Sequence, residues 1–98
     1  MTSDKNAVTW SFLTNHAGAL LCIANDPGIR LREIGDMIGI TERAAHRIVG
    51  ELADAGYITR QRNGRRNKYE IQTHLRLPDP LARGKRVSDL LAIIAGPT

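Results

Sequence analysis

The chain has 98 residues, which is the size of one small domain. Its apolar share of 42% and charged share of 24% are ordinary globular values and argue against wholesale disorder. No run approaches the roughly 18 apolar residues of a membrane-spanning helix, and the polar opening MTSDKNAVTW predicts no secretory leader. The single cysteine, Cys22, excludes an internal disulfide and a multi-cysteine zinc site. We therefore expect a cytoplasmic protein with no metal and no other cofactor.

Positive charge is concentrated in one segment. The net charge is +4, from 14 Lys and Arg against 10 Asp and Glu. Residues 41–68 hold seven basic and three acidic residues, so this segment carries 7 − 3 = +4 and the rest of the chain is neutral. Five of the basic residues fall within Arg60–Lys68, with no acidic residue among them. Such clusters attract phosphate backbones, although most charge runs are only solvated loops.

Apolar residues at helical spacing predict three helices in the first half of the chain. The first runs from an N-cap at Thr9 to about Asn25, where Asp-Pro-Gly stops it. The second is short and ends at Gly39, where glycine accepts a positive φ. Thr41 then caps the third, which Gly56 closes. The apolar positions are Trp10, Leu13, Ala17, Leu20, Leu21 and Ala24 in the first helix, Leu31, Ile34, Met37 and Ile38 in the second, and Ala45, Ile48, Val49 and Leu52 in the third.

The second half predicts a hairpin and one more helix. Residues 57–62 and 67–72 are rich in β-branched and aromatic residues, and the Asn63-Gly64 pair between them favours a tight reversal. Leu77-Pro78-Asp79-Pro80 predicts a stiff linker without a regular ladder. A last helix over about Arg86–Ala95 is too short to be stable without a surface that covers its apolar stripe. That stripe consists of Val87, Leu90, Leu91 and Ile94.

The order of these elements and their residues carry a resemblance to a known family. The stretch LREIGDMIGITERAAHRIVGELADAGYITR, followed by GRRNKYEI, resembles the winged helix-turn-helix DNA-binding domain of bacterial and archaeal transcription regulators, and the MarR-like group most closely. The resemblance implies that the third helix enters the major groove, and that the hairpin, the wing, lies along the backbone or in the minor groove. The matching positions are Ile34, Gly35, Gly39, Ile40, Thr41, Ala45, Ile48, Leu52, Gly56, Tyr57, Ile58, Arg60, Tyr69 and Ile71.

The predicted fold class is mainly α with a small β-hairpin, an α+β winged helix-turn-helix with a short C-terminal helix. We expect residues 1–8 to be a disordered tail and residues 9–74 to form the DNA-binding domain. Residues 75–98 are then a linker and a C-terminal helix that serves dimerisation.

Candidate DNA contacts lie on the third helix and in the wing. Once the apolar stripe is buried, the outward face near the helix start is Glu42, Arg43, His46 and Arg47. Arg43 and Arg47 are one turn apart, and each can fork onto a guanine edge or a phosphate. His46 can donate to a base or phosphate, and Glu42 can accept from cytosine. Thr41 is expected both to cap the helix and to bind phosphate. The wing candidates are Arg62, Asn63, Arg65, Arg66 and Lys68, with Arg65 and Arg66 at the tip.

The C-terminal helix raises the question of a second subunit. It either folds back on the first helix of its own chain or pairs with the first helix and its copy in a partner. We favour a homodimer, because symmetric dimers are the commonest oligomers. The expected dimerisation residues are Trp10, Leu13, Val87, Leu90, Leu91 and Ile94. The sequence does not decide whether a small-molecule effector exists.

The leading functional hypothesis is a homodimeric, sequence-specific regulator of transcription that binds double-stranded DNA. A non-specific architectural protein would need the basic hairpin but would gain nothing from Glu42. A protein-binding winged helix would not need five basic residues in its wing. We expect no enzyme, since the chain has neither a phosphate-cradling glycine loop nor a nucleophile–base pair. Metal sensing is not expected either, and Cys22 is interpreted as a small apolar core residue whose redox role stays open.

Overall fold

The computed structural model describes residues 9–64 and 66–95, apart from the side chains of Asn63, Arg66 and Ala95. Its helices and its two-stranded antiparallel hairpin give the predicted α+β class, including the short C-terminal helix. The predicted tail over residues 1–8 and the predicted wing-tip residue Arg65 lie outside the described residues. The elements are α1 (Asn15–Asn25), α2 (Leu31–Ile38), α3 (Glu42–Asp54), β1 (Ile58–Asn63), β2 (Arg66–Ile71), a 3-10 turn (Pro80–Ala82) and α4 (Val87–Ala95).

The first helix begins at Asn15, so the predicted start at Thr9 is wrong. Thr14 is the N-cap, because its Oγ1 accepts a hydrogen bond from the N–H of Ala17 at 3.1 Å. Trp10 and Phe12 lie before the helix, with ring centroids 4.9 Å apart in an edge-to-face contact. Aromatic and β-branched residues are weak helix formers, and apolar spacing alone did not reveal that the helix starts only after Thr14.

The two helices of the helix-turn-helix unit meet at a tight turn. Gly39 takes the predicted left-handed conformation, with φ 78°. The carbonyl oxygen of Gly35 accepts hydrogen bonds from the N–H groups of Gly39 and Ile40 at 2.8 and 2.9 Å. Thr41 caps α3 as predicted, since its Oγ1 accepts from the N–H of Ala44 at 3.0 Å. These contacts fix the direction in which α3 leaves the turn.

The core lies among the first three helices and one face of the hairpin. The predicted stripe of α3 is buried throughout, as Ala45, Ile48, Val49 and Leu52 are all in the core. Full burial of an aliphatic side chain stabilises the fold by about 1.5–3 kcal/mol. With this stripe inside, the opposite face of α3 is left to solvent. The other core residues are Ala19, Leu20, Cys22, Ile23, Ile29, Ile34, Ile58 and Tyr69.

The hairpin is tighter than predicted. Its register pairs Ile58 with Ile71 and Asn63 with Arg66, so two residues rather than four separate the strands. Gly64 supplies the positive φ, at 68°. A backbone hydrogen bond of 2.9 Å from the N–H of Tyr69 to the carbonyl of Pro27 ties β2 to the loop between α1 and α2.

The segment after the hairpin is a closed loop, and its residues Leu77-Pro78-Asp79-Pro80 form no regular ladder, as the sequence predicted. The N–H of Leu77 donates to the carbonyl of Lys85 at 2.8 Å, and Arg76 and Arg86 form an antiparallel bridge. The hydroxyl of Tyr57 donates to the carbonyl of Arg76 at 2.8 Å and so attaches the loop to the base of the hairpin. The prolines lie inside the loop, where no ladder hydrogen bond is required.

The last helix packs against α1 of its own chain. Val87, predicted as a dimer contact, is 0% exposed and therefore offers no surface to a partner. Its N–H also donates to the carbonyl of Leu75 at 2.9 Å. Leu90 and Leu91 are half-buried, and Ile94 is exposed. The stripe of α4 is thus covered in part within the chain.

Candidate nucleic-acid interface

The outer face of α3 presents the predicted reading residues to solvent. Glu42, Arg43, His46 and Arg47 are all exposed, because the stripe between them is buried. Thr41 is exposed as well. Its hydroxyl oxygen accepts from the backbone as the helix cap, and its O–H can still donate to an acceptor such as a phosphate oxygen.

Arg47 makes a contact that was not predicted from the sequence. Its Nη1 donates to Glu51 Oε2 at 3.2 Å, and the other oxygen of the same carboxylate, Oε1, lies 2.6 Å from His16 Nε2. The hydrogen bond from His16 and the charge and hydrogen bond of Arg47 lower the pKa of Glu51. The spacing of Arg47 and Glu51 along one helix is visible in the sequence. His16 is 35 residues away, and no sequence signal indicated its contact.

The wing distributes its cations over both faces. Directly opposite residues of an antiparallel pair share a face, so Arg60 lies on the same face as buried Tyr69, and Lys68 lies on the other. Arg62 shares the face of Arg60, and its Nε donates to the carbonyl of Gly64 at 3.4 Å. The side chains of Asn63 and Arg66, and all of Arg65, lie outside the described residues.

A cleft of about 430 Å³ joins the wing to the starts of α2 and α3. Asn67 and Tyr69 of β2 line it on one side and Glu42 on the other. Arg30 and Arg32, both exposed, line it as well. These two arginines were not predicted as contacts, although their position at the start of α2 could have indicated them, since helix N-termini favour phosphate.

Most cations of this surface are not neutralised by a neighbour. Within residues 9–64 and 66–95, the ion pairs are His16–Glu51 and Arg47–Glu51. Arg30, Arg32, Arg43 and Lys68 therefore keep their charge for an external anion. Unpaired cations of this kind attract phosphate through their charge.

The same part of the chain offers no clustered metal ligands and no membrane-spanning helix. In the described ranges, no three His, Cys, Asp or Glu side chains gather where they could hold a metal ion. No described helix is long and apolar enough to cross a membrane. Cys22 is buried, with its Sγ 3.9 Å from Met37 Sδ, and burial raises the pKa of its thiol. It packs as a small apolar residue, as predicted.

Comparison with known proteins agrees with this geometry. Residues 11–66, more than half of the chain, match the model of the MarR family. The chain belongs to the MarR family. Members of this family are transcription regulators with a winged helix-turn-helix, as the resemblance in the sequence implied. No curated protein sequence matches the chain.

A solved structure shares the fold of this MarR-family chain. It is the PcaV transcriptional regulator from Streptomyces coelicolor, determined in complex with its natural ligand. The two are 18% identical, and the superposition has a TM-score of 0.52 and covers 96% of this chain and 68% of PcaV. The likeness establishes the winged-helix architecture that the helices and hairpin define.

Proposed function

We propose that this MarR-family regulator binds double-stranded DNA sequence-specifically as a homodimer, with α3 in the major groove and the wing on the backbone or in the minor groove. The outer face of α3 carries the proposal. Arg43, His46 and Arg47 are exposed on one side while the opposite side is locked into the core. The major groove, about 12 Å wide, admits an α-helix presented in this way.

The residues of this face have different roles in the proposal. Arg43 and Arg47 each donate two hydrogen bonds to a guanine edge or a phosphate. His46 donates a hydrogen bond to a base or a phosphate. Glu42 accepts a hydrogen bond from cytosine N4, and its negative charge disfavours a phosphate close to it. Thr41, at the positive end of α3, binds phosphate.

Backbone contacts come from the wing and from the start of α2. In the wing they are assigned to Arg62, Asn63, Arg65, Arg66 and Lys68. Arg30 and Arg32 extend this surface across the cleft beside Glu42. These contacts set affinity and position rather than base preference.

Binding of short duplexes by Arg43→Ala, measured by fluorescence anisotropy across a salt series, tests the role of the α3 face. Lys85→Ala is the matched control, because it removes an exposed cation from the closed loop at the base of the hairpin. Arg43→Ala is expected to weaken specific binding about 5- to 100-fold, as the loss of a bidentate base contact implies. Equal loss on every duplex would instead favour the architectural role. If Arg43→Ala and Lys85→Ala bind DNA with the same affinity, the assignment of α3 as the DNA-contacting helix is refuted.

The homodimer is proposed to form through apolar residues that the chain leaves uncovered. Phe12 is 90% exposed, Ile93 79% and Trp10 58%, and Ile94 is also exposed. Apolar patches of this kind are characteristic of interaction surfaces. Leu13 and Leu90 are half-buried and, together with Phe12, line an open groove of about 660 Å³ between α1, α3 and α4.

Sedimentation equilibrium of Ile93→Asp tests the dimer. An exposed position tolerates the charge within the subunit, so the variant is expected to sediment as a folded monomer. Leu81→Asp is the control, since Leu81 is just as exposed but lies on the 3-10 turn. A dimer that survives Ile93→Asp, or a wild-type protein that is monomeric at high concentration, would contradict this interface.

A further inference from the structure

One carboxylate of the recognition helix connects two helices. Glu51 lies on α3 one turn beyond Arg47, and each of its oxygens has its own partner. Oε2 accepts from Nη1 of Arg47 at 3.2 Å, and Oε1 lies 2.6 Å from Nε2 of His16, in the first turn of α1. The three residues therefore form a chain that runs from α1 to the outer face of α3.

The chemistry of the carboxylate sets the direction of both hydrogen bonds. An ionised carboxylate only accepts hydrogen bonds, so the hydrogen lies on Nε2 of His16, and this N–H donates the hydrogen bond to Glu51. Each oxygen of Glu51 contacts a different partner, and the two contacts together restrain its side chain. Arg47 is restrained in turn, through one nitrogen of a guanidinium that has five N–H donors. The remaining donors are available to a base edge.

We propose that His16 and Glu51 are positioning residues that hold Arg47 in one orientation for base recognition, an inference that rests on the proposed DNA-binding function. Arg47 is 62% exposed, and a free arginine in that position would sample many rotamers. Ordering such a side chain on binding costs free energy, and the contact with Glu51 removes part of that cost beforehand. Exposed ion pairs contribute little to stability, so the effect of the network on the fold is small and its main effect is on recognition.

The test measures the ratio of affinities for a preferred duplex and for the same duplex with the Arg47-contacted base pair changed. His16→Ala and Glu51→Gln are expected to lower this ratio about two- to tenfold, the cost of ordering one long side chain. His16→Gln is expected to restore it, since its amide nitrogen can donate to Glu51. In an Arg47→Ala background, His16→Ala is expected to have no further effect.

Asp54→Asn is the matched control for Glu51→Gln. It removes the same charge from α3, and Asp54 makes no ion pair within the described part of the chain. If Glu51→Gln only raises affinity for all duplexes as Asp54→Asn does, the effect is one of charge and the inference is refuted. If His16→Ala leaves the ratio of affinities unchanged but lowers the unfolding temperature, the inference is refuted as well. The contact between His16 and Glu51 would then only stabilise the packing of α1 against α3.

The same data separate this inference from the proposed function. A wild-type protein with no preference among duplexes overturns the proposed function itself. A wild-type preference that Arg47→Ala relaxes and that His16→Ala and Glu51→Gln leave intact overturns only the positioning role. A preference that Arg47→Ala leaves unchanged removes Arg47 as a base reader, and the positioning role fails with it.

Discussion

Replacing Gly35 by alanine tests whether α2 approaches the turn as closely as described. A Cβ at this position would lie 2.6 Å from the backbone carbonyl oxygen of Ile40, whereas real Cβ contacts are not found below 3.0 Å. Reaching an ordinary contact of 3.4 Å requires the two segments to separate by 3.4 − 2.6 = 0.8 Å. The obstacle is backbone, so no rotamer change relieves it.

The expected magnitude follows from two opposing terms. Alanine in a helix interior is favoured over glycine by about 1 kcal/mol, and overpacking costs about 1–3 kcal/mol. Gly35→Ala is therefore expected to lower the free energy of unfolding by up to about 2 kcal/mol. Each kcal/mol lost lowers the unfolding temperature by roughly 4–8 °C in a domain of this size. The forced separation would also shift α3 against α2 and so weaken DNA binding.

Gly50→Ala is the matched control, because Gly50 lies in α3 and a Cβ there meets nothing within 4 Å. It is expected to stabilise the protein by about 0.5–1 kcal/mol, the opposite sign. Urea unfolding followed by circular dichroism measures both variants. Tryptophan fluorescence is less suitable, since exposed Trp10 lies outside the core. A Gly35→Ala protein as stable as Gly50→Ala would refute the described approach of α2 to the turn.

Three further predictions concern the cap of α3, the buried thiol and the carboxylate of Glu51. Thr41→Ala is expected to lower the free energy of unfolding in urea by about 1 kcal/mol, because the substitution removes the acceptor for the Ala44 N–H. Thr41→Ser keeps a hydroxyl acceptor and should retain most of the wild-type stability. Burial raises the pKa of the Cys22 thiol above its ordinary 9.0, so alkylation by iodoacetamide should be much slower in native than in urea-unfolded protein. Equal rates would show that Cys22 is accessible. The lowered pKa of Glu51 means that its ionised form stabilises the fold above the ordinary value of 4.5 and that this contribution is lost as the pH falls through the lowered pKa. Wild type should therefore be more stable than Glu51→Gln near neutral pH, with the difference vanishing in acid. A pH-independent difference would contradict the assignment.

The sequence was most informative where a local rule determines the structure. The α3 stripe, the cap at Thr41 and the positive φ of Gly39 each depend on residues within one or two turns. The hairpin was predictable for the same reason, although pairing of Asn63 with Arg66 shortened its turn. The exposure of the outer face of α3 then followed from the buried stripe by helix geometry alone.

Contacts between distant segments were not predictable from the same rules. The bond between His16 and Glu51 depends on how α1 lies against α3, which no local pattern encodes. The closed loop depends on the hydroxyl of Tyr57 reaching Arg76. The burial of Val87 depends on α4 docking within its own chain, and a short amphipathic helix favours that arrangement and a partner's surface equally.

Sequence-specific recognition by a dimer is tested most directly by selecting bound duplexes from a random DNA pool at near-physiological salt and sequencing them. The proposed function predicts a strongly enriched motif with two related half-sites about one helical turn, roughly 10 base pairs, apart. Enrichment of a single half-site would contradict the symmetric dimer. Retention without any motif would reduce the exposed face of α3 and the wing to a DNA-coating surface, and no retention would contradict DNA binding itself.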